Sequence, residues 1–277
     1  MIRDILLCLE RDHAYDHVRD YALSMAELLQ AHIRGVAFAQ DPDISGYMIP
    51  NFPPQMLAEM RAESEKAARA TIDRFVAAAE RRQLSTDHWL VTETEVRMPG
   101  TYARLARNAD LSIVMQSDPD GVDNDALIEA SLFDSGRPLV VLPYIQKGAL
   151  KLDRVICCWD GSSAAARAIN DALPILVKAS NVELLIVRNE RGDDAQAEMH
   201  GIEMAKHLAR HEVKVEVEIT PSGGIDVASL ILSHAADGSA SLIVMGGYGH
   251  SRLREFILGG ATRGILSSMT VPVFMSH

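Results

Sequence analysis

The chain has 277 residues, enough for two domains that each bury a core, and its 48% apolar and 23% charged residues suit a soluble globular protein. A formal charge of −11 argues against a nucleic-acid binder that neutralises phosphates with a basic face, and no apolar run reaches the length of a membrane span. Three cysteines form no C-x-x-C pair, and Met1-Ile2-Arg3-Asp4 leads into a strand rather than a secretory leader, so a reducing cytoplasm is the expected compartment.

In chain order, Asp4 to Glu10 is an apolar run closed by an acid and reads as a strand. Val18, Tyr21, Ala22, Met25, Leu28 and Leu29 then form a stripe at helical spacing. Asp41 to Pro54, rich in Pro and Gly, reads as a loop insertion. A long helix is expected near 55–82, with Met56 and Met60 as core or interface packing. Strands are expected near 87–92 and 111–115. After the second of these, Gln116-Ser117-Asp118-Pro119-Asp120 opens an acidic stretch that continues through Asp123 and Asp125; it lacks the Gly and closing Glu of a calcium loop and reads as solvated. Leu139 to Leu142 should close the first half, and Tyr144 to Leu152 is a short polar joint.

The second half repeats the first. Arg154 to Asp160 matches Asp4 to Glu10, again an apolar run ending in an acid, and Ala240 to Met245 matches Asp110 to Met115. Strands are predicted near 154–159, 182–187, 213–219, 242–246 and 271–275, and helices near 163–178, 195–210, 226–236 and 260–269. Pro174 should kink the first of these helices. Cys157 and Cys158 should face opposite sides of their strand, and the alternation of Val213, Val215, Val217 and Ile219 with polar residues predicts a strand with one wetter face. The βαβα order predicts two tandem, doubly wound, mostly parallel five-stranded α/β domains, 1–147 and 148–277.

The most informative stretch follows the apolar run Ser241 to Val244. It reads Met245-Gly246-Gly247-Tyr248-Gly249-His250, continues through Ser251 to Leu258, and ends in Gly259-Gly260-Ala261-Thr262 before the apolar Ile265-Leu266. Strand, glycine loop and helix N-terminus together present backbone N–H groups to an anion. The spacing is neither G-x-G-x-x-G nor G-x-x-x-x-G-K-[ST]. The glycines could instead serve only a tight strand-to-helix connection, and Asp160 could be a turn or cap residue beside Gly161 and Ser162. His250 could meet a phosphate or stand in solvent. His207 and His211, with His200 seven residues back from His207, have no further ligand of the right kind, so no metal site is expected. No nucleophile–base pair and no phosphate-loop lysine accompany the glycines, so no catalytic residue is assigned and strong catalysis is not expected.

These residues resemble the universal stress protein family, and the whole chain is similar to its tandem members. The acid ending the first strand, the run Leu184-Leu185-Ile186-Val187, the glycine pattern and the text Ser251 to Gly259 carry the resemblance, well over 153–277 and more loosely over 1–147. It implies an adenine-nucleotide α-hydrolase-like fold whose halves pack as a pseudo-dimer through their last strands, with a homodimer as a further option. It also implies a stress-response or signalling protein that binds ATP, with Mg²⁺ as a companion cation and an unnamed protein partner. By the same resemblance Asp160 and the backbone of Val187 meet adenine. Met245, Gly246, Gly249, His250, Gly259, Gly260, Ala261 and Thr262 surround ribose and phosphates. Two departures stand out. Gly260 occupies the place where the family carries Ser or Thr, leaving Thr262 to supply a hydroxyl, and Trp159 precedes the acid, where it could narrow the adenine slot. The first half lacks the glycine motif, since its acidic loop would repel a triphosphate and Pro119 lacks an N–H. The alternative reading is a tandem member that has lost nucleotide and serves as a protein-interaction module.

Overall fold

The structure is a computed structural model and describes residues 1–41, 53–188, 194–247 and 260–277. The first half runs β1 (Asp4–Cys8), α1 (Asp16–Leu29), β2 (His32–Gln40), α2 (Pro54–Arg81), β3 (Thr86–Glu93), α3 (Met98–Ala106), β4 (Leu111–Met115), α4 (Asp125–Asp134) and β5 (Leu139–Leu142). The second runs β6 (Arg154–Cys158), α5 (Ser163–Leu176), β7 (Asn181–Arg188), α6 (Asp194–Arg210), β8 (Val215–Pro221), α7 (Val227–Asp237), β9 (Leu242–Gly246), α8 (Gly260–Ser268) and β10 (Val273–Ser276). Most of the expected loop insertion, residues 42–52, lies outside the described residues.

All ten strands join one sheet in the order β3-β2-β1-β4-β5-β10-β9-β6-β7-β8. Every pairing is parallel except that of β5 with β10, where Val141, Val140 and Leu139 oppose Val273, Phe274 and Met275. Each half is thus a five-stranded, doubly wound parallel sheet, and the antiparallel rung fuses the two into a pseudo-dimer. The physical reason lies in the last strands. All of Leu139–Leu142 and Val273–Ser276 is buried, and such apolar edges would be sticky if left open.

Helices cover both faces. One face packs against α1, α2, α5 and α6, the other against α3, α4, α7 and α8. Burial from both sides explains why β1, β4 and β9 read as unbroken apolar runs rather than alternating ones. Successive residues still divide between the faces: Cys157 belongs to the α5 side and Cys158 to the α7 side, as strand geometry requires. Toward the edge this double cover ends. In β8, the consecutive residues Glu216, Val217 and Glu218 are exposed, so both faces of this edge strand are wet there, where the alternation predicts only one. That strand begins two residues later than its alternation suggests, because Val213 is tied back to α6 by its N–H to the Leu208 carbonyl at 3.1 Å.

One further difference is physical. Met56 and Met60 are 49% and 45% exposed and are not core residues, because the buried stripe of α2 begins only at Ala68. Pro174 lies inside α5, three residues from its end at Leu176 counted inclusively. At the lower end of β6 and β7, buried Glu183 is held by both Arg154 and His234.

Candidate functional site

In a doubly wound sheet, a crevice opens at the carboxyl ends of the strands where the winding reverses. In the second half that point is β6, with β7 and β8 on one side and β9 and β10 on the other. β6 is short. Its pairing with β7 ends at Cys158 and Leu185, followed by one bond from the Trp159 N–H to the Leu185 carbonyl at 2.9 Å, whereas β7 runs on to Arg188. Residues two apart in a strand turn their polar groups to the same side. Val187 therefore directs its own N–H and C=O toward the β6 side, beyond the last rung. Its side chain is half-buried against the α7–α8 face.

Asp160 stands at the end of β6, exposed, and its Oδ1 accepts the Ser162 N–H at 2.9 Å. Gly161 takes φ +77°, and Ser162 caps α5 by accepting the Ala165 N–H at 3.1 Å. The turn reading of Asp160 is thus realised in the structure, and it aims the N-terminus of α5 into the same crevice. Gly246 ends β9 on the other side. A Cβ there would lie 2.5 Å from the Ala165 nitrogen and 2.6 Å from the Ala164 carbonyl carbon, so the first turn of α5 presses directly on this glycine. Helix α8 begins at Gly260, which is exposed, and among the described residues nothing lies within 4 Å of an added Cβ there. Ala261 follows half-buried, and Thr262 is buried at 3% exposure. Met245 is buried in the α7–α8 core, leaving only its backbone near the crevice. Gly249, His250 and Gly259 lie outside the described residues.

Trp159 is half-buried against the α5–α6 face. Cys158, on the opposite face, has its thiol pushed up to about 12, chiefly by burial and then by the charges of Asp160 and Glu183, so it remains protonated and poorly nucleophilic. His207 donates to Asn170 Oδ1 at 2.9 Å and stacks edge-on with His211 at 4.7 Å. Among the described residues no group of three or more His, Cys, Asp and Glu is placed to hold a metal.

The corresponding crevice of the first half is built differently. Glu10 stands where Asp160 stands, but Asn124 from the acidic loop reaches back and donates to Glu10 Oε1 at 3.2 Å. Burial outweighs that bond and pushes the Glu10 carboxyl up to about 7. Asp118 Oδ2 accepts the Tyr15 hydroxyl at 2.6 Å while its Oδ1 accepts the Asp120 N–H at 3.0 Å, and Asp123 accepts the Asp125 N–H at 3.0 Å. Asp120, Asp123 and Asp125 remain exposed, in keeping with a solvated loop, while Asp118 and Asp123 also accept hydrogen bonds within it. Gln116, buried at 2% exposure, reaches into the other half and donates to the Leu266 carbonyl of α8 at 2.8 Å. No spacing in the sequence could have shown that contact, because its partners lie in different halves.

Comparison with known proteins agrees with this architecture. The universal stress protein family model matches residues 151–277. A universal stress protein of Synechocystis sp. is 24% identical over 137 residues, which span 50% of this chain and 46% of that relative. Among solved structures, a universal stress protein from Archaeoglobus fulgidus DSM 4304 superimposes with a TM-score of 0.74 at 18% identity, covering 99% of this chain and 97% of its own. A functionally unknown protein from Pseudomonas aeruginosa PAO1 gives 0.65 at 14% identity, covering 99% and 92%. Residues 151–277 thus match the universal stress protein family model, and the whole chain, with a first half of the same topology fused to them, shares its fold with a solved universal stress protein.

Proposed function

We propose that the second half binds one adenine nucleotide, ATP by preference, in the crevice above β6, and that the chain is a nucleotide-responsive stress or signalling protein without strong catalysis. One observation supports this reading: Asp160, the outward main chain of Val187 and Gly246 all stand at the carboxyl ends of neighbouring strands β6, β7 and β9, at the switch point. The Val187 N–H and C=O offer the donor–acceptor pair that an adenine edge complements. The N-termini of α5 and α8 favour phosphate charge. Mg²⁺ would enter with the triphosphate.

The first half is proposed to bind none, since its acidic loop reaches back to Glu10 and Tyr15 and would set carboxylates against a triphosphate. Titration calorimetry with ATP should give one site per chain, and two equivalent sites would contradict the proposal. Gly249→Val should weaken ATP by about tenfold or more, the equivalent of 1–3 kcal/mol of backbone strain or ligand clash, while leaving the thermal midpoint in place. Unchanged affinity in a folded variant would remove the phosphate-loop reading. A second reading, an interaction module that has lost nucleotide, is favoured by Gly260 in place of a hydroxyl residue and by Trp159 ahead of the acid. Absence of ATP binding by the purified chain would put it first.

A further inference from the structure

The glycine stretch of the second half does not rest on its own half alone. At Gly247, the last described residue before the loop, an added Cβ would lie 2.6 Å from Leu132 Cδ2, and Leu132 belongs to α4 of the first half. The Gly247 N–H donates to the Ser276 carbonyl at 2.8 Å. The Gly247 carbonyl can only accept, so the His277 Nδ1 that lies 2.9 Å from it carries the proton. That imidazole is in turn packed edge-on against Phe133 of α4, with ring centroids 4.8 Å apart at 75°. Both polar groups of Gly247 are thus engaged by β10 and the residue after it, and the side chain that holds its carbonyl is braced by the other half.

We propose that α4 of the first half is a positioning element for the nucleotide site of the second. Leu132 sets how low the chain lies as it leaves β9, and Phe133 holds the His277 ring so that its Nδ1 fixes the plane of the Gly247 peptide. That peptide leads directly into the loop that would carry ribose and phosphates. The first half thereby gains a role although it lacks a glycine loop of its own. It supplies the rigid floor against which the other half's loop takes off. Gln116 makes a further contact between the halves, donating to the Leu266 carbonyl of α8. The functional consequence rests on the nucleotide reading above; the positioning itself does not.

The test uses the full chain. Phe133→Ala, His277→Ala and the double variant are compared for amide exchange at Gly247, measured by NMR without ligand, and for affinity toward ATP and AMP. Loss of the His277 bond to the Gly247 carbonyl should loosen the adjoining Gly247 N–H bond to the Ser276 carbonyl and speed Gly247 exchange by about three- to tenfold in each single variant. The double variant should add little to either, because both act through one ring. His277→Gln, which keeps a donor, should recover part of the protection. ATP affinity should fall by about three- to tenfold while AMP changes less, since the loop holds the phosphate end. A thermal midpoint that falls without faster exchange at Gly247 would overturn the positioning role, as would additive single effects. If the parent chain binds no ATP, the nucleotide reading fails, and the exchange measurements still decide whether α4 anchors Gly247.

Discussion

Two glycines of the same motif answer to different physics. At Gly246 an added methyl meets backbone atoms of α5, which cannot rotate away as a side-chain tip can. Gly246→Ala should therefore cost about 1–3 kcal/mol, read as a lower denaturation midpoint. At Gly260 nothing among the described residues stands within 4 Å of an added Cβ, so Gly260→Ala should fold with an equal or higher midpoint. Gly260→Ser should also fold, and calorimetry should show tighter ATP binding if the missing hydroxyl weakens the site. Glu10 yields a pH prediction. Its folded pKa of about 7 exceeds the ordinary 4.5, chiefly through burial, so the folded state holds the proton more tightly than the unfolded one. Its stabilising contribution is complete below about pH 4.5 and is lost as pH rises through 7. Glu10→Gln, which still accepts from Asn124, should be more stable than the parent above pH 7 by on the order of 1–3 kcal/mol and should flatten that part of the stability profile. A variant no more stable at pH 8 would show that the carboxylate remains solvated.

At the scale of elements, the turn Asp160–Ser162 shows how a site residue can also be a structural one. Asp160 orders the chain into α5 through its bond to the Ser162 N–H, and Ser162 caps the helix. Asp160→Ala would mix two effects, whereas Asp160→Asn keeps an acceptor for the turn and removes only the charge. If Asp160 meets adenine as proposed, the expected result is an unchanged thermal midpoint with weaker ATP binding, and the loss should be similar for ATP and AMP. Ser162→Ala should lower stability by about 1 kcal/mol, the usual cost of a lost N-cap, measurable by denaturant titration. Selective loss of ATP over AMP in Asp160→Asn would instead place this residue at the phosphates.

The whole molecule depends on one antiparallel rung. β5 and β10 are buried along their length, and removing one half would leave the other with an open apolar edge. A fragment of residues 1–150 should therefore self-associate through β5, seen as a dimer or larger species by light scattering, and it should bind no ATP. A monodisperse monomer would show that the edge is tolerable without its partner.

The sequence alone settled the elements with strong internal signals. Apolar runs buried on both faces, their repetition in two halves and the glycine spacing gave the fold class, the two-half organisation and the strand ends that carry Asp160 and Gly246. Boundaries drifted where a local bond outweighs periodicity, as at Val213, and Met56 and Met60 looked like packing because helical spacing does not say how far a core extends. Only the tertiary structure showed that the acidic loop folds onto Glu10 and Tyr15, that the β7 main chain outruns β6 at Val187, and that Leu132, Phe133 and Gln116 cross from one half to touch the other. Those contacts join residues distant in sequence, and no period or spacing records which side chains meet once two sheets are fused edge to edge.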